Sequence, residues 1–235
     1  MPGAGPAGTE PAGTGPDGSL PPGHPAARAA AAAIRRAGHL LAGRELTAAQ
    51  LEQLGEVLDI WCGSVDGAPV RDKRDFMLAQ GGMAEFMRTG VPQPPPPDGA
   101  ELAFDEVSFI GGPSSGLSMG FTYRREGDDA VAETVFDRAF EGPPERVHGG
   151  AVAAAIDESM SLVLLLVGRP AYTVRLTISF TAPAPLHRPV RFRSRLVQRE
   201  GRKLFIRCEA SSDEGVFAEA DGLFVLAPPP EQPEA

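Results

Sequence analysis

A long apolar segment, Gly149 to Val167, constrains the fold of this chain more than any other sequence feature. Its polar residues are an Asp, a Glu and two Ser, which do not form a polar stripe. A helix that is apolar nearly all round is normally buried, so the segment predicts a central helix. We judge it too short and too charged to cross a membrane. Burying a carboxylate is costly, so Asp157 and Glu158 require an explanation.

Strand patterns lie on both sides of this segment. Before it, GLSMGFTYRR and AVAETVFD flank the turn EGDD; after it come TVRLTISFTAPAP, PVRFRSRLVQR, KLFIRCEASS and GVFAEADGLFVL. Alternation places Val174, Leu176, Ile178 and Phe180 on one face and Thr173, Arg175, Thr177 and Ser179 on the other, and it likewise separates Val190 and Phe192 from Arg191 and Arg193. Such a pattern is typical of an antiparallel sheet with one buried face. The predicted class is therefore α+β, with a curved antiparallel sheet wrapped around a long central helix.

The chain divides where its composition changes. Residues 1–25 are rich in Pro, Gly and Ala and are predicted to be disordered, as is the tail 228–235. Residues 26–90 predict an N-terminal helical extension, and the proline-rich 91–99 predicts a linker. The main domain is expected over 100–227.

Two helices are predicted in the extension, from the sequences ARAAAAAIRRAGHLLAG and LTAAQLEQLGEVLDIW. Thr47 is the N-cap candidate of the second helix. An apolar stripe runs along that helix through Leu51, Leu54, Val57, Leu58 and Trp61. We expect the two helices to pack as a hairpin on the main domain.

Charge and cysteine usage exclude several classes of protein. The net charge of −9 argues against a nucleic-acid partner, because phosphate neutralisation needs a basic surface. Cys62 and Cys208 are too few for a disulfide framework, and no metal-binding motif is present. The N-terminus lacks the basic start and apolar run of a signal peptide. We therefore expect a cytoplasmic protein without a membrane partner or a metal.

The start of the apolar segment has the features of a carbonyl-binding site. Pro143, Pro144 and the Gly149–Gly150 pair predict a rigid turn that leads into a helix N-terminus. The free N–H groups and the positive dipole there suit an oxyanion or a polarised carbonyl. Asp157 follows two helical turns later, where desolvation would make it a better base.

The stretch EGPPERVHGGAVAAAID resembles the His-Gly-Gly motif of the hotdog-fold acyl-CoA thioesterases, in their PaaI-like, phenylacetate-pathway branch. In that motif an Asp follows the His by nine residues, as Asp157 follows His148. The resemblance covers about Phe104 to Ala227. It implies the hotdog fold and hydrolysis of an acyl-CoA substrate, with coenzyme A entering as part of the substrate and no separate cofactor.

The resemblance also implies roles for individual residues. Gly150, or the neighbouring Gly149, would donate its N–H to the thioester carbonyl. Asp157 would activate or position the attacking water, or attack directly. His148 would shape the turn and could contribute to the carbonyl site, and Thr173 would orient the water.

One feature of the motif departs from its relatives. Some carry an Asn or Gln in the loop before the motif as a second carbonyl donor, whereas this chain has Phe140-Glu141-Gly142-Pro143. Helical geometry separates Gly150 from Asp157 by about 10 Å of rise, which is too far for one helix to supply both groups. We therefore expect a homodimer, or a dimer of dimers, in which two chains share each site.

Basic residues concentrate between His187 and Arg207, and two interpretations stay open. They could form a solvated outer sheet face, or the turn residues Arg199, Arg202 and Lys203 could bind the phosphates of coenzyme A. Alternatives also remain at the site itself. Asp157 could be structural, Glu158 is favoured as a hydrogen-bonded or interface residue, and Thr173 could simply favour a strand.

Two other functions remain as alternatives to thioester hydrolysis. A non-catalytic hotdog module could bind acyl-CoA or acyl-carrier ligands, although such a module has no need for a desolvated Asp157. A hotdog hydratase is less well supported, because no Asp–His pair occurs at close helical spacing.

Overall fold

The computed structural model describes residues 20–78, 83–103 and 105–228. The predicted disorder of residues 1–25 and 228–235 falls almost entirely outside this part of the chain. The elements follow in the order α1 (Pro25–Gly43), α2 (Ala48–Val65), α3 (Lys73–Leu78), α4 (Met83–Thr89), β1 (Thr122–Glu126), β2 (Asp129–Val135), the short 3-10 helix Arg138–Phe140, α5 (Gly149–Val167), β3 (Ala171–Phe180), β4 (Pro189–Glu200), β5 (Lys203–Ser212) and β6 (Gly215–Leu226).

The six strands form one antiparallel sheet in the order β1-β2-β4-β5-β6-β3. One sheet face packs on α5, and Val190 and Phe192 of β4 are fully buried there. The predicted bounds of α5 and the one-sided burial of β4 are both confirmed. The architecture is the hotdog fold, a curved sheet around a central helix.

The outer face of the sheet carries a network of ion pairs. Arginines of β4 pair with acidic residues of the β1–β2 hairpin, through Arg191–Glu126, Arg193–Asp129 and Arg195–Asp129. These cations are therefore neutralised within the fold. The interpretation of this part of the basic segment as a solvated outer face is confirmed.

Strand β3 differs from its prediction because it lies at the edge of the sheet. Leu176 and Ile178 are half-buried against the core, but Val174 and Phe180 on the same predicted face are 60% and 55% exposed. A register irregularity between Thr173 and Arg175 interrupts the alternation. The prediction that all four apolar side chains are buried is therefore wrong for the single chain.

Strand β1 is shorter than its pattern indicated. The strand begins at Thr122, and the preceding residues Gly116–Phe121 run outside the sheet. They belong to a loop, residues 105–121, whose turns are closed by its own backbone, for example Gly112 N–H to Ser108 O at 2.9 Å. This loop packs against α1, where Arg35 donates to the carbonyl of Ser115 at 2.7 Å.

The N-terminal helices only partly follow their predicted arrangement. Helix α1 packs on the 3-10 helix, where His39 meets Phe140 edge-on. Helix α2 begins at the predicted Thr47, whose hydroxyl accepts the Gln50 N–H in a capping box. However, α2 has no buried residue, and Trp61 is 55% exposed. The expected packing of α2 against the main domain is therefore wrong for the single chain.

Two short helices, α3 and α4, lacked a sequence prediction. Phe86 of α4 is 1% exposed and lies under the Arg169 guanidinium, 5.2 Å from the ring centre. After α4, the proline-rich segment 91–99 hydrogen-bonds to the main domain, with Gln93 N–H donating to the Gly168 carbonyl at 3.2 Å. The extension is thereby anchored at the C-terminal end of α5.

Helix α5 is long and apolar enough to cross a membrane by length and composition, with a hydropathy of 1.8 over its best window. The prediction that this segment is too short and too charged to cross a membrane is therefore wrong on both grounds. Half of that window is buried inside the protein, and the sheet packs along the helix. A core helix of a soluble fold satisfies the same criteria.

Candidate functional site

The N-terminus of α5 is organised by His148. The His148 N–H donates to the Phe140 carbonyl at 2.8 Å, and its Nδ1 accepts the Gly150 N–H at 2.9 Å. His148 is thus the N-cap of α5, which agrees with its predicted role in shaping the turn. Within the described residues the Gly149 N–H has no hydrogen-bond partner. A substrate carbonyl oxygen can therefore accept a hydrogen bond from the Gly149 N–H directly. The Gly150 N–H becomes available only if the His148 side chain rotates away.

The loop before the motif is closely packed and carries no amide side chain. A Cβ on Gly142 would lie 2.8 Å from the His148 Cα, so the loop passes directly beside the cap. Glu141 accepts hydrogen bonds from Arg138 at 2.9 Å and from the Glu145 N–H at 2.5 Å. Glu141, the only acidic side chain between Phe140 and Pro143, is therefore already hydrogen-bonded within the loop. The loop holds the turn in place and supplies no second side-chain donor.

Asp157 and Thr173 meet on the side of α5 next to β3. The Thr173 hydroxyl donates to Asp157 Oδ1 at 2.9 Å, so the structure brings these two predicted site residues together. Asp157 is half-buried and Thr173 is exposed. Full desolvation of Asp157, expected from the apolar helix, is therefore not provided by its own chain. The reason is that β3 is an edge strand and leaves this face of α5 open.

Glu158 is the carboxylate that this chain buries. Its side chain accepts hydrogen bonds from the Ser108 hydroxyl at 3.0 Å and the Tyr123 hydroxyl at 3.1 Å. Burial raises the pKa of Glu158 above its usual range, and the two hydrogen bonds oppose that rise only in part. The expectation that Glu158 is hydrogen-bonded is confirmed. Sequence reasoning did not identify Ser108 and Tyr123 as its partners, because both are far from Glu158 along the chain.

Gly150 and Asp157 do not converge within one chain. Both belong to the continuous helix α5, and seven residues of helix correspond to a rise of about 10 Å. A base and an oxyanion donor must act on atoms about 3 Å apart. One chain therefore carries both halves of the predicted site but does not bring them together.

The predicted phosphate-binding turn, between β4 and β5, lies level with Thr173, the residue that contacts Asp157. Thr173 pairs with Phe224, which pairs with Leu204, so the β4–β5 turn is two strands from Thr173. At about 4.8 Å per strand, the lateral separation is about 10 Å. The turn and the carboxylate are therefore within the reach of one extended ligand.

The three cations of that turn are not equally available. Arg202 donates from Nε and Nη2 to the Leu226 carbonyl at 3.0 and 2.7 Å. The Arg199 Nε donates to the Gly201 carbonyl at 3.2 Å. Lys203 is exposed at the start of β5 and has no ion-pair partner among the described residues. Lys203 is the most available of the three to an anion.

The described ranges contain no group of three or more His, Cys, Asp or Glu side chains that could hold a metal ion. Both cysteines are free thiols, with Cys62 exposed and Cys208 buried. Burial raises the pKa of the Cys208 thiol to about 11. A thiol held protonated in this way is a poor nucleophile, so Cys208 acts as a core residue.

Comparison with known proteins gives three results. Residues 145–218 match the model of the thioesterase superfamily. The bovine protein named acyl-coenzyme A thioesterase THEM4 is 32% identical over 125 residues, which cover 52% of this chain and 52% of that protein. The human protein named acyl-coenzyme A thioesterase THEM5 is 36% identical over 87 residues, or 36% of this chain and 35% of that protein. The chain thus matches about half the length, or less, of these curated relatives.

A solved structure described as a thioesterase superfamily protein matches most of the chain. It covers 88% of this chain and 97% of its own, with a TM-score of 0.69 and 22% sequence identity. At that identity the likeness establishes the fold. Its coverage reaches beyond the residues that the family model matches.

Proposed function

We propose that this chain hydrolyses an acyl-CoA thioester to a free acid and coenzyme A, a proposal supported by the match of residues 145–218 to the thioesterase superfamily model. The observation that carries the proposal is the Thr173–Asp157 hydrogen bond on the open face of α5, at 2.9 Å. A carboxylate held by a hydroxyl beside open space is suited to accept a proton from water. The names of the curated relatives, acyl-coenzyme A thioesterases, support the same substrate class.

In the proposed mechanism, Asp157 takes a proton from water as the water oxygen attacks the thioester carbonyl. The Thr173 hydroxyl fixes the orientation of the carboxylate by donating to Oδ1. The developing oxyanion accepts a hydrogen bond from the Gly149 N–H, or from the Gly150 N–H once His148 has turned away. The positive end of the α5 dipole stabilises the oxyanion further. Collapse of the tetrahedral intermediate breaks the C–S bond. The proton then passes from Asp157 to the departing coenzyme A thiolate.

A second copy of the chain would complete this site. The unpaired edge of β3 exposes Tyr172, Val174 and Phe180, which are 69%, 60% and 55% exposed. A long apolar edge strand is a template for pairing with another chain. Two chains joined near this edge would cover Asp157 and bring the α5 N-terminus of one chain toward Asp157 of the other. We therefore expect a homodimer, or a dimer of dimers.

Mixed dimers test the sharing of residues. Asp157→Asn removes the base, and Gly149→Pro removes the free N–H at the first position of α5, where proline is tolerated. Random 1:1 mixing should restore about one quarter of wild-type activity, since half of the dimers are hybrids and each has one intact site. Confirmed hybrids without activity would exclude a shared site built from these residues.

The activity itself is tested by free-thiol release from short, medium, long and aromatic acyl-CoAs. Asp157→Asn should lower kcat by about 10²–10⁴-fold, the usual range for loss of a general base. Asp221→Asn is the matched control, because Asp221 is an exposed carboxylate on β6 that pairs with Arg207 of β5. Tight acyl-CoA binding without thiol release in the wild-type protein would instead support a non-catalytic binding module.

The phosphate-binding turn has its own test. Lys203→Gln should raise KM for acyl-CoA and weaken the salt dependence of KM without a matching fall in kcat. Arg202→Ala should have the smaller specific effect on KM, because the Arg202 donors already bind the Leu226 carbonyl. An unchanged KM in both variants would place the coenzyme A phosphates elsewhere.

A further inference from the structure

A cavity of about 1350 Å³ lies between α1 and one end of the sheet, outside the proposed catalytic residues. Its walls come from α1, the ends of β2 and β5, the start of β4 and the 3-10 helix. Neither Asp157, Thr173 nor the α5 N-terminus lines it. Ligand sites typically have volumes of roughly 300–1,000 Å³, so this open cleft can hold a molecule of nucleotide size.

The cavity lining is basic although the chain as a whole is acidic. Five arginines line it against three carboxylates, in a protein whose net charge is −9. The arginines are Arg35, Arg36, Arg44, Arg138 and Arg191. Clefts lined by one sign of charge concentrate ligands of the opposite sign. The cleft therefore favours an anion.

Three of the five arginines are held by the fold itself. Arg35 donates to backbone carbonyls of the 105–121 loop, Arg138 pairs with Glu141, and Arg191 pairs with Glu126. The remaining two, Arg36 and Arg44, have no ion-pair or hydrogen-bond partner among the described residues. Arg36 lies in α1, Arg44 directly follows the helix, and both line the same cavity.

A strained residue on the opposite wall also points to a ligand. His187 has φ of +58°, a left-handed conformation that is rare for non-glycine residues. The fold retains it through the His187 N–H bond to the Phe136 carbonyl at 2.8 Å. Its ring Nδ1 lies 3.3 Å from Asp137. Strained residues of this kind cluster at ligand sites, and His187 lines the same cavity as Arg36 and Arg44.

We propose that this cavity is a binding site for a small phosphate-bearing molecule, held by Arg36 and Arg44. Guanidinium groups favour phosphate because their N–H donors match two phosphate oxygens at once. The seven helical steps from Arg36 to Gly43 give about 10 Å of rise, and Arg44 directly follows. The two long side chains can close this span onto one phosphate group or use it to grip two. Both arginines belong to the N-terminal extension, which lies outside the residues matched by the family model.

Direct titration tests the site without reference to hydrolysis. Inorganic pyrophosphate is titrated into the full chain by calorimetry at low salt, with citrate as a polycarboxylate comparison. The wild-type protein should bind pyrophosphate in preference to citrate. Arg36→Gln/Arg44→Gln should weaken pyrophosphate binding by at least about tenfold, since each charge-assisted bond contributes substantially to affinity.

Two further variants separate local recognition from charge and folding effects. Arg74→Gln/Arg207→Gln removes the same charge from exposed positions outside the cavity and should bind as the wild type does. Arg36→Lys/Arg44→Lys should recover part of the affinity if charge at these positions holds the ligand. Equal affinity in the double Gln variant and the wild type, or equal loss in the double Gln variant and the control, would overturn the proposal. A failure of thioester hydrolysis would leave this result unaffected, because no substrate is used.

Discussion

Replacing Tyr123 by Phe should destabilise the protein through Glu158. The Tyr123 hydroxyl donates to Glu158 Oε1 at 3.1 Å, and both residues are buried, at 8% exposure each. A Cβ on Gly111 would lie 1.4 Å from the Tyr123 hydroxyl oxygen, so this hydroxyl fills the space beside the glycine. Phe leaves that space unfilled and leaves Oε1 with the Ser108 hydroxyl as its remaining donor.

The size of the effect follows from these contacts. Leaving a buried acceptor without its partner costs about 1–3 kcal/mol, and the remaining Ser108 bond places Tyr123→Phe near the lower end. A loss of about 1–1.5 kcal/mol corresponds to a fall in Tm of roughly 2–6 °C for a chain of this size. Thermal unfolding followed by circular dichroism measures it. Thr122→Val is the control, because it removes an exposed hydroxyl from the neighbouring position and should change Tm by less than its error.

The same cluster predicts a pH dependence of stability. Burial raises the pKa of Glu158 in the folded chain above its ordinary value of 4.5. The folded state therefore holds more protons than the unfolded state in this window, and stability is lost as the pH rises from 4.5 through the folded-state pKa. Glu158→Gln stays neutral and retains an acceptor oxygen, so it should not show this part of the decline. Parallel pH–stability curves for the wild type and Glu158→Gln, together with an unchanged Tm for Tyr123→Phe, would refute the reasoning.

Two further predictions concern the junction between the extension and α5. Phe86→Ala should lower the free energy of unfolding by about 3–5 kcal/mol in chemical denaturation, because the ring is 1% exposed and Arg169 lies over it; an effect below about 1 kcal/mol would mean that α4 is not anchored there. Gly168→Ala should be destabilising by more than the roughly 1–2 kcal/mol of a left-handed residue, since φ is +70° and the new Cβ would fall 2.0 Å from the Gln93 carbonyl oxygen. Equal stability of Gly168→Ala and wild type would contradict that close approach.

The hydrophobic spacing within a segment was enough to predict the helices and strands in which that spacing is regular. The bounds of α5, the strands β4 to β6 and the N-cap at Thr47 follow from hydrophobic spacing and cap chemistry alone. The contact between Asp157 and Thr173 was indicated only by the family resemblance. Neither composition nor periodicity places two residues from different elements within hydrogen-bonding distance.

Long-range packing accounts for what the sequence did not predict. The 105–121 loop brings Ser108 onto Glu158, and β1 brings Tyr123 onto the same carboxylate. No local signal marks that contact, since the partners are 50 and 35 residues away. The exposure of β3 also depends on its position at the end of the strand order, which alternation within a strand does not reveal.

The two adjacent carboxylates of α5 lie in different surroundings, because neighbouring residues of a helix point about 100° apart. Glu158 faces the closed side, where burial raises the pKa of its carboxyl and two hydroxyl donors oppose that rise only in part. Asp157 faces the open side, where Thr173 is its hydrogen-bond donor and the β3 edge lies unpaired. The cost of desolvating Asp157 would then arise only when a second chain covers the open face, and that is also the step at which the carboxylate would gain strength as a base.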